Sequence, residues 1–283
     1  MSAENDNLQL LGIMETMRRF LFPTVFTLTL LLVISTTVGA QQPFVTDDAD
    51  TTPKHHFHFE FSNEFDLLQR ASFPAVRQNT ADFELDYGLF DQVEIGFELP
   101  WLTIFNAAGS PPKATSGIGD ANVSLKYNFR REGKNSRLPA MAVALNLELP
   151  TGDSNRQLGS GLADFYLNGI LQQSLTRRTK LRLNGGILFS GNETTGAIGI
   201  ASRGTVFTGG GSFVREFSAR LQLGVEIASA LEKNFQLGKG QLQTMFGGNY
   251  LIKKNASLDF AILAGKYAAS PRVGIQMGLS LDF

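Results

Sequence analysis

VGIQMGLSLDF, residues 273–283, places Val273, Ile275, Met277, Leu279, Leu281 and Phe283 on one side of an extended chain and Gly274, Gln276, Gly278, Ser280 and Asp282 on the other. Successive side chains of a strand point to opposite faces, so this period-two pattern reads as a strand with one apolar and one polar face. ADFELDY repeats it, with Phe83, Leu85 and Tyr87 against Asp82, Glu84 and Asp86. VEIGFEL follows suit, with Val93, Ile95, Phe97 and Leu99 against Glu94 and Glu98.

Carried along the chain, the pattern predicts about twelve strands, near 54–65, 80–88, 92–100, 118–130, 139–150, 161–174, 180–190, 203–217, 219–231, 240–252, 256–266 and 271–283. Strands of soluble domains are usually about 5 to 6 residues long. These match the roughly 9 to 11 residues that a tilted strand needs to cross a bilayer. The connections alternate in length. Links such as Gly88 to Asp91 and Lys253 to Asn255 are tight, whereas Asp66 to Asn79, Trp101 to Gly117, Thr151 to Ser160, Gly191 to Ser202 and Glu232 to Lys239 are long. Only Arg131 to Leu138 is longer than its position in the series predicts.

That alternation predicts an all-β fold, a transmembrane antiparallel up-and-down barrel with short periplasmic turns and longer extracellular loops. Tyr87, Tyr127, Phe129, Phe217, Tyr250 and Phe283 fall where one aromatic girdle belongs, with Trp101 and Phe105 at the opposite rim. Closing the last strand on the first removes the sheet edges that lipid would not tolerate. A secreted β-sandwich is the competing fold, but its outer faces would be polar.

MRRFLFPTVFTLTLLLVISTTVGA, residues 17–40, has a basic start at Arg18 and Arg19, an apolar stretch from Phe20 to Ile34 and small residues at Val38, Gly39 and Ala40. This predicts a signal peptide over 1–40, cleaved after Ala40, with 1–16 an over-extended start. Taking its three acids and two bases from the chain's 26 and 25 leaves 23 of each sign. A neutral exported chain gives no support for nucleic-acid binding. The absence of cysteine rules out disulfides and thiolate chemistry.

FVTDDADTTPK at 44–54, GIGDANVSLKY at 117–127 and ELPTGDSNRQLGSGLADF at 148–165, with the final strand ending in Phe283, resemble the outer-membrane barrel family named for a phenol-degradation pathway. The resemblance implies a barrel in a Gram-negative outer membrane that passes small, often aromatic, compounds and has no catalytic set. It further implies that Phe283 is part of the signal read by the barrel-insertion machinery. Lipid, that machinery and small solutes are thus the expected partners, and no cofactor is expected.

Assigning the apolar faces to lipid turns the alternate residues into the lumen. Glu60, Asp82, Glu84, Asp86, Glu94 and Glu98 would form an acidic wall and solute path, joined by Asp120, Glu148, Asp164, Glu226, Asp259 and Asp282. The expected lumenal bases are Lys126, Lys180, Arg182, Arg220 and Arg272. Rings of carboxylates favour cations over anions. The same groups could instead fill a narrow interior with salt bridges. Residues 41–53 precede the barrel at 54–283 and read as a solvated periplasmic segment or a small plug, with Asp47, Asp48 and Asp50 as candidate ligands for a divalent cation.

All three histidines lie in KHHFHFEF, residues 54–61. With Phe57, Phe59 and Phe61 facing lipid, His56 and His58 point inward, where they form a candidate metal or proton site with Asp282 or Asp86. Serine catalysis usually recruits a nearby histidine, and no histidine falls at the outer rim, so the reading is a channel rather than an enzyme. The alternative is a binding, adhesion or structural barrel acting through Asp66 to Asn79 or Trp101 to Gly117.

Overall fold

The computed structural model describes residues 43–133, 138–191, 196–200, 203–232 and 240–283. The expected signal peptide, 1–40, lies outside them. Thirteen strand segments follow one another: β1 Phe57–Leu67, β2 Ala75–Phe90, β3 Val93–Asn106, β4 Ala114–Ile118, β5 Ala121–Arg130, β6 Ala140–Leu149 and β7 Asp164–Thr176. They continue as β8 Thr179–Ser190, β9 Gly204–Glu216, β10 Leu221–Glu232, β11 Gln241–Lys253, β12 Ala256–Gly265 and β13 Val273–Asp282.

Each strand pairs antiparallel with its neighbours, and β1 pairs with both β2 and β13, so the sheet closes on itself. The closing ladder runs from His58 opposite Asp282 to Leu67 opposite Val273. β4 and β5 act as one strand. Trp101 to Phe105 of β3 pair with β4, while Val93 to Glu98 pair with β5. The result is a closed barrel of 12 strands.

The break between β4 and β5 falls at Gly119 and Asp120, in the GIGD motif. Asp120 Oδ1 accepts from the Gly152 N–H at 2.9 Å and its Oδ2 from the Ser160 N–H at 2.5 Å. Thr151 Oγ1 donates to the Gly119 carbonyl and accepts from the Ala121 N–H. The GIGD and PTGD motifs therefore bind each other, fixing the long loop between β6 and β7 to the neighbouring strand. Asp153 caps the short 3-10 turn of that loop by accepting from the Asn155 N–H, which is turn chemistry.

Polarity is inverted relative to a soluble protein. Phe83, Phe97, Ile262 and Met277 stand exposed on the outside, with Met277 69% accessible. Glu60, Glu94, Lys126, Arg182, Glu226 and Asp259 are buried inside. An outer apolar band and a polar interior are what a bilayer selects in a barrel. The expected girdle residues Tyr127, Phe129, Phe217 and Tyr250 are all exposed.

Two expectations change. β2 and β3 extend well past the expected strand limits, to Ala75 and Asn106, and turn part of the expected long loops into paired hairpin. Residues 75–80 lack the apolar alternation because their ladder with β1 and β3 rests on backbone and amide pairing, such as Asn63 with Asn79. Arg220 and Arg272, expected in the lumen, sit just before β10 and β13 and are exposed.

Candidate functional site

Residues 43–53 are held by side chains from the inner barrel wall. Phe44 is buried with Val214, Met245, Ala261 and Leu263, and Ala49 with Ala140, Ala142, Ala144 and Ile170. The Thr46 N–H and Oγ1 both donate to Glu226 Oε2, each at 2.6 Å, and the Val45 N–H donates to Oε1 at 3.2 Å. At the other end of the segment, the Thr52 N–H donates to Glu94 Oε2 at 2.6 Å, and Asn128 Nδ2 donates to the Ala49 carbonyl. The approach is close enough that a Cβ on Gly88 would stand 2.1 Å from the Pro53 carbonyl oxygen, so only glycine fits there.

The aspartates of TDDAD each meet a lumenal base. Asp47 pairs with Lys126 at 3.2 Å, Asp48 with Arg182 at 2.9 Å and Asp50 with Lys180 at 3.5 Å, Asp50 also accepting from Gln172 Nε2 at 2.9 Å. Lys126 is shared with Glu94 at 3.0 Å. Buried charges need such partners, because desolvation of an unpaired ion outweighs what packing returns. Lys126, Arg182 and Glu94, read from sequence as lining a solute path, are thus bound up with the inner segment. The reading of 41–53 as a solvated tail does not describe residues 44–52, most of which are buried. Among the described residues no group of three or more acids or histidines is arranged to hold a metal ion, so Asp47, Asp48 and Asp50 act here as ion-pair partners.

A second set of lumenal charges, running across β1 to β7, is built differently. Glu60 of β1 lies directly across from Glu84 of β2, and Glu84 from Glu98 of β3. The row continues through Asn122 of β5 to Glu148 of β6 and Asp164 of β7. Adjacent strands are about 4.8 Å apart, and like charges directly opposite each other destabilise a sheet. Strands of a closed barrel tilt against its axis, so a row crossing them climbs as it goes round. It rises from near the short-turn end of β1 to the long-loop end of β7.

Two cavities adjoin this row, and a third lies against β1 and β2 beyond it. One of about 350 Å³ is lined by Glu60, Glu84, Asp86 and Glu98; a second of about 250 Å³ by Glu148, Asp164 and Tyr166. They share Asn122, Asn146 and Tyr166 as walls. A third, of about 260 Å³, is lined by Glu64, Asp66 and Asp82. Val45 of the inner segment borders all three.

The histidine stretch is resolved into ion pairs. His58 Nδ1 lies 2.6 Å from Asp282 Oδ1 and Nε2 lies 2.7 Å from Glu60 Oε1, so both ring nitrogens face carboxylates and neither is presented to a metal. Of the candidate metal or proton site at His56, His58 and Asp282, the structure brings His58 and Asp282 together as a pair, and His56 takes no part in it. Asp86 lies directly across the sheet from His58 and is buried at the same level. His55 is exposed with its Nδ1 3.1 Å from the Tyr87 hydroxyl. Phe283 follows β13 at the chain end and is exposed.

Sequence parity identified the lumenal faces but missed the inner segment's bonds and the continuity of the carboxylate row. The segment's signal was available in the match of three aspartates to three inward bases. The row needs register, which alternation within one strand does not supply.

The family model described as "Putative MetA-pathway of phenol degradation" matches residues 46–283. No curated protein sequence matches the chain. Among solved structures, an outer-membrane channel from Pseudomonas putida F1 is similar at TM-score 0.68 and 14% identity, covering 85% of this chain and 100% of that one. The NanC porin is similar at TM-score 0.55 and 10% identity, over 79% and 98% of the two chains. The KdgM porin follows at TM-score 0.51 and 10% identity, over 80% and 99%. Likeness at these identities establishes an outer-membrane barrel fold.

Proposed function

Taking as premise that the chain belongs to this MetA-pathway family, we propose that it is an outer-membrane channel for small solutes whose lumen favours cations and polar or aromatic neutral molecules over anions. The single observation that carries this reading is the climbing row of Glu60, Glu84, Glu98, Glu148 and Asp164, which lines two adjoining cavities. A row of like charges that opposes folding is expected where the charges act on something that passes.

In this reading residues 1–40 are a cleaved signal peptide, and the rim bearing the chain termini faces the periplasm. Residues 43–53 act as a small plug that takes up the lumenal bases Lys126, Lys180 and Arg182. Neutralising those bases leaves the carboxylates of the row to set the field. Val45, at the meeting point of the cavities, forms the constriction. Phe283 serves assembly, and the barrel performs no catalysis of its own.

Planar-bilayer recording of the refolded protein tests the proposal. Conductance with cation preference, reduced in Glu84→Gln and Glu98→Gln, is the expected result; a folded barrel that stays silent would sink it.

A further inference from the structure

The cavity under the long-loop ends of β1 and β2 combines features that the general solute path does not need. Asp66 is only 1% exposed, yet among the described residues no amide, hydroxyl or base donates to its carboxylate oxygens, and only the carboxyl of Glu64 stands within hydrogen-bonding reach. The charged group beside it, Glu64, is another acid. Asp82 lines the same space, and among the described residues that line it there is no lysine, arginine or histidine. Buried carboxylates without donors or counter-charges are costly, so this arrangement calls for a cationic partner.

The backbone makes room for it. Gly274 of β13 stands directly across from Asp66, and a Cβ there would come within 2.1 Å of Asp66 Oδ1. The carboxylate therefore occupies the place that any other residue's side chain would take. The rest of the lining combines apolar Phe44, Val45, Ile198 and Met245 with the amides of Gln78 and Gln276 and the hydroxyls of Ser62 and Thr80.

A volume of about 260 Å³ exceeds what a bare metal ion fills, and the acids are not gathered as metal ligands. The acid-and-apolar pairing matches a molecule with a charged nitrogen and a hydrocarbon body. We propose that this cavity is a binding station for small organic ammonium ions, the N–H groups donating to Asp66, Glu64 and Asp82 and the hydrocarbon part lying against Phe44 and Met245. The assignment names a substrate class for the channel and rests on that channel reading.

Calorimetric titration of the refolded full chain with benzylammonium, benzyl alcohol and benzoate at neutral pH tests it. The ammonium ion is expected to bind roughly tenfold or more tighter than the alcohol, because charge-assisted hydrogen bonds are the stronger kind, and benzoate is expected not to bind. Asp66→Asn should erase the preference, whereas Asp259→Asn, whose parent carboxylate already accepts from Ser257 and Ser280, should keep it. The comparison of ammonium with alcohol on the unaltered protein decides the matter should Asp66→Asn fail to fold.

Equal affinity for ammonium and alcohol would overturn the proposal, as it would if Glu64 and Asp66 simply shared a proton. So would a folded Asp66→Asn protein that still prefers the ammonium ion. Bilayer recording separates this from the channel reading. Tight ammonium binding by a silent barrel refutes the channel and keeps the site, and conduction without ammonium preference refutes the site and keeps the channel.

Discussion

Two sets of charges in the same lumen are handled in opposite ways. On β5 and β8 the bases Lys126, Lys180 and Arg182 are each met by an aspartate of the inner segment. On β1, β2 and β3 the glutamates at 60, 84 and 98 stand side by side. Charges of the first kind hold a segment in place, and their contribution is to folding and to the blocking of space. Charges of the second kind gain nothing from one another. Their placement makes sense through the field they set up in the adjoining cavities.

The comparison can be broken from its paired side first, where the largest effect is expected. A chain lacking residues 43–50 should conduct severalfold more than the full chain, with its cation preference weakened because the bases are no longer neutralised. An unchanged conductance would mean that the segment does not obstruct the lumen. Next in size is Asp48→Ala, which leaves Arg182 buried without its partner and should cost about 3–5 kcal/mol of stability. Urea unfolding of the refolded barrel would read this, and adding Arg182→Leu should restore most of the loss.

Phe283 belongs to neither set. Its deletion is expected to lower assembled barrel in outer-membrane fractions severalfold while leaving the selectivity of the molecules that do assemble unchanged. A selectivity change there would contradict the separation of assembly from lumenal charge. Among the carboxylates of the row, Glu84→Gln or Glu98→Gln should reduce cation preference by a modest factor. Each should also leave stability equal or slightly raised, because Glu98→Gln removes one like-charge contact across the sheet and Glu84→Gln two, each worth roughly 0.2–1 kcal/mol. The smallest effect is expected from shortening the loop at 107–113, which should leave conductance intact; loss of conduction there would move function from the lumen to the loops.

How far these features were legible in the sequence depends on the range of the interaction. Alternation in VGIQMGLSLDF and VEIGFEL is local, so strand identity and the facing of each side chain followed directly. The ends of β2 and β3 were misjudged because residues 75–80 lack apolar alternation and residues 101–105 are apolar on both faces, with Leu102 and Ile104 buried and Trp101 exposed, so period two does not stand out in either. The Gly119 and Asp120 break could not be seen because its cause, the loop at Gly152 and Ser160, lies more than thirty residues away. Asp282 could be named beside His58 although 224 residues separate them, because both face inward at the strand ends that close the barrel, whereas the second partner, Glu60, is only two residues away and was passed over. The carboxylate row likewise exists only once six strand registers are set.

The central claim is that the row of lumenal carboxylates, and not the bases neutralised by the inner segment, sets the field of the lumen. The reversal potential of the refolded protein in a bilayer under a salt gradient measures this directly. The account predicts the sign of a cation-selective pore, moving toward zero in the Glu84→Gln, Glu98→Gln double variant. Anion selectivity, or a cation preference untouched by that double variant, would contradict it.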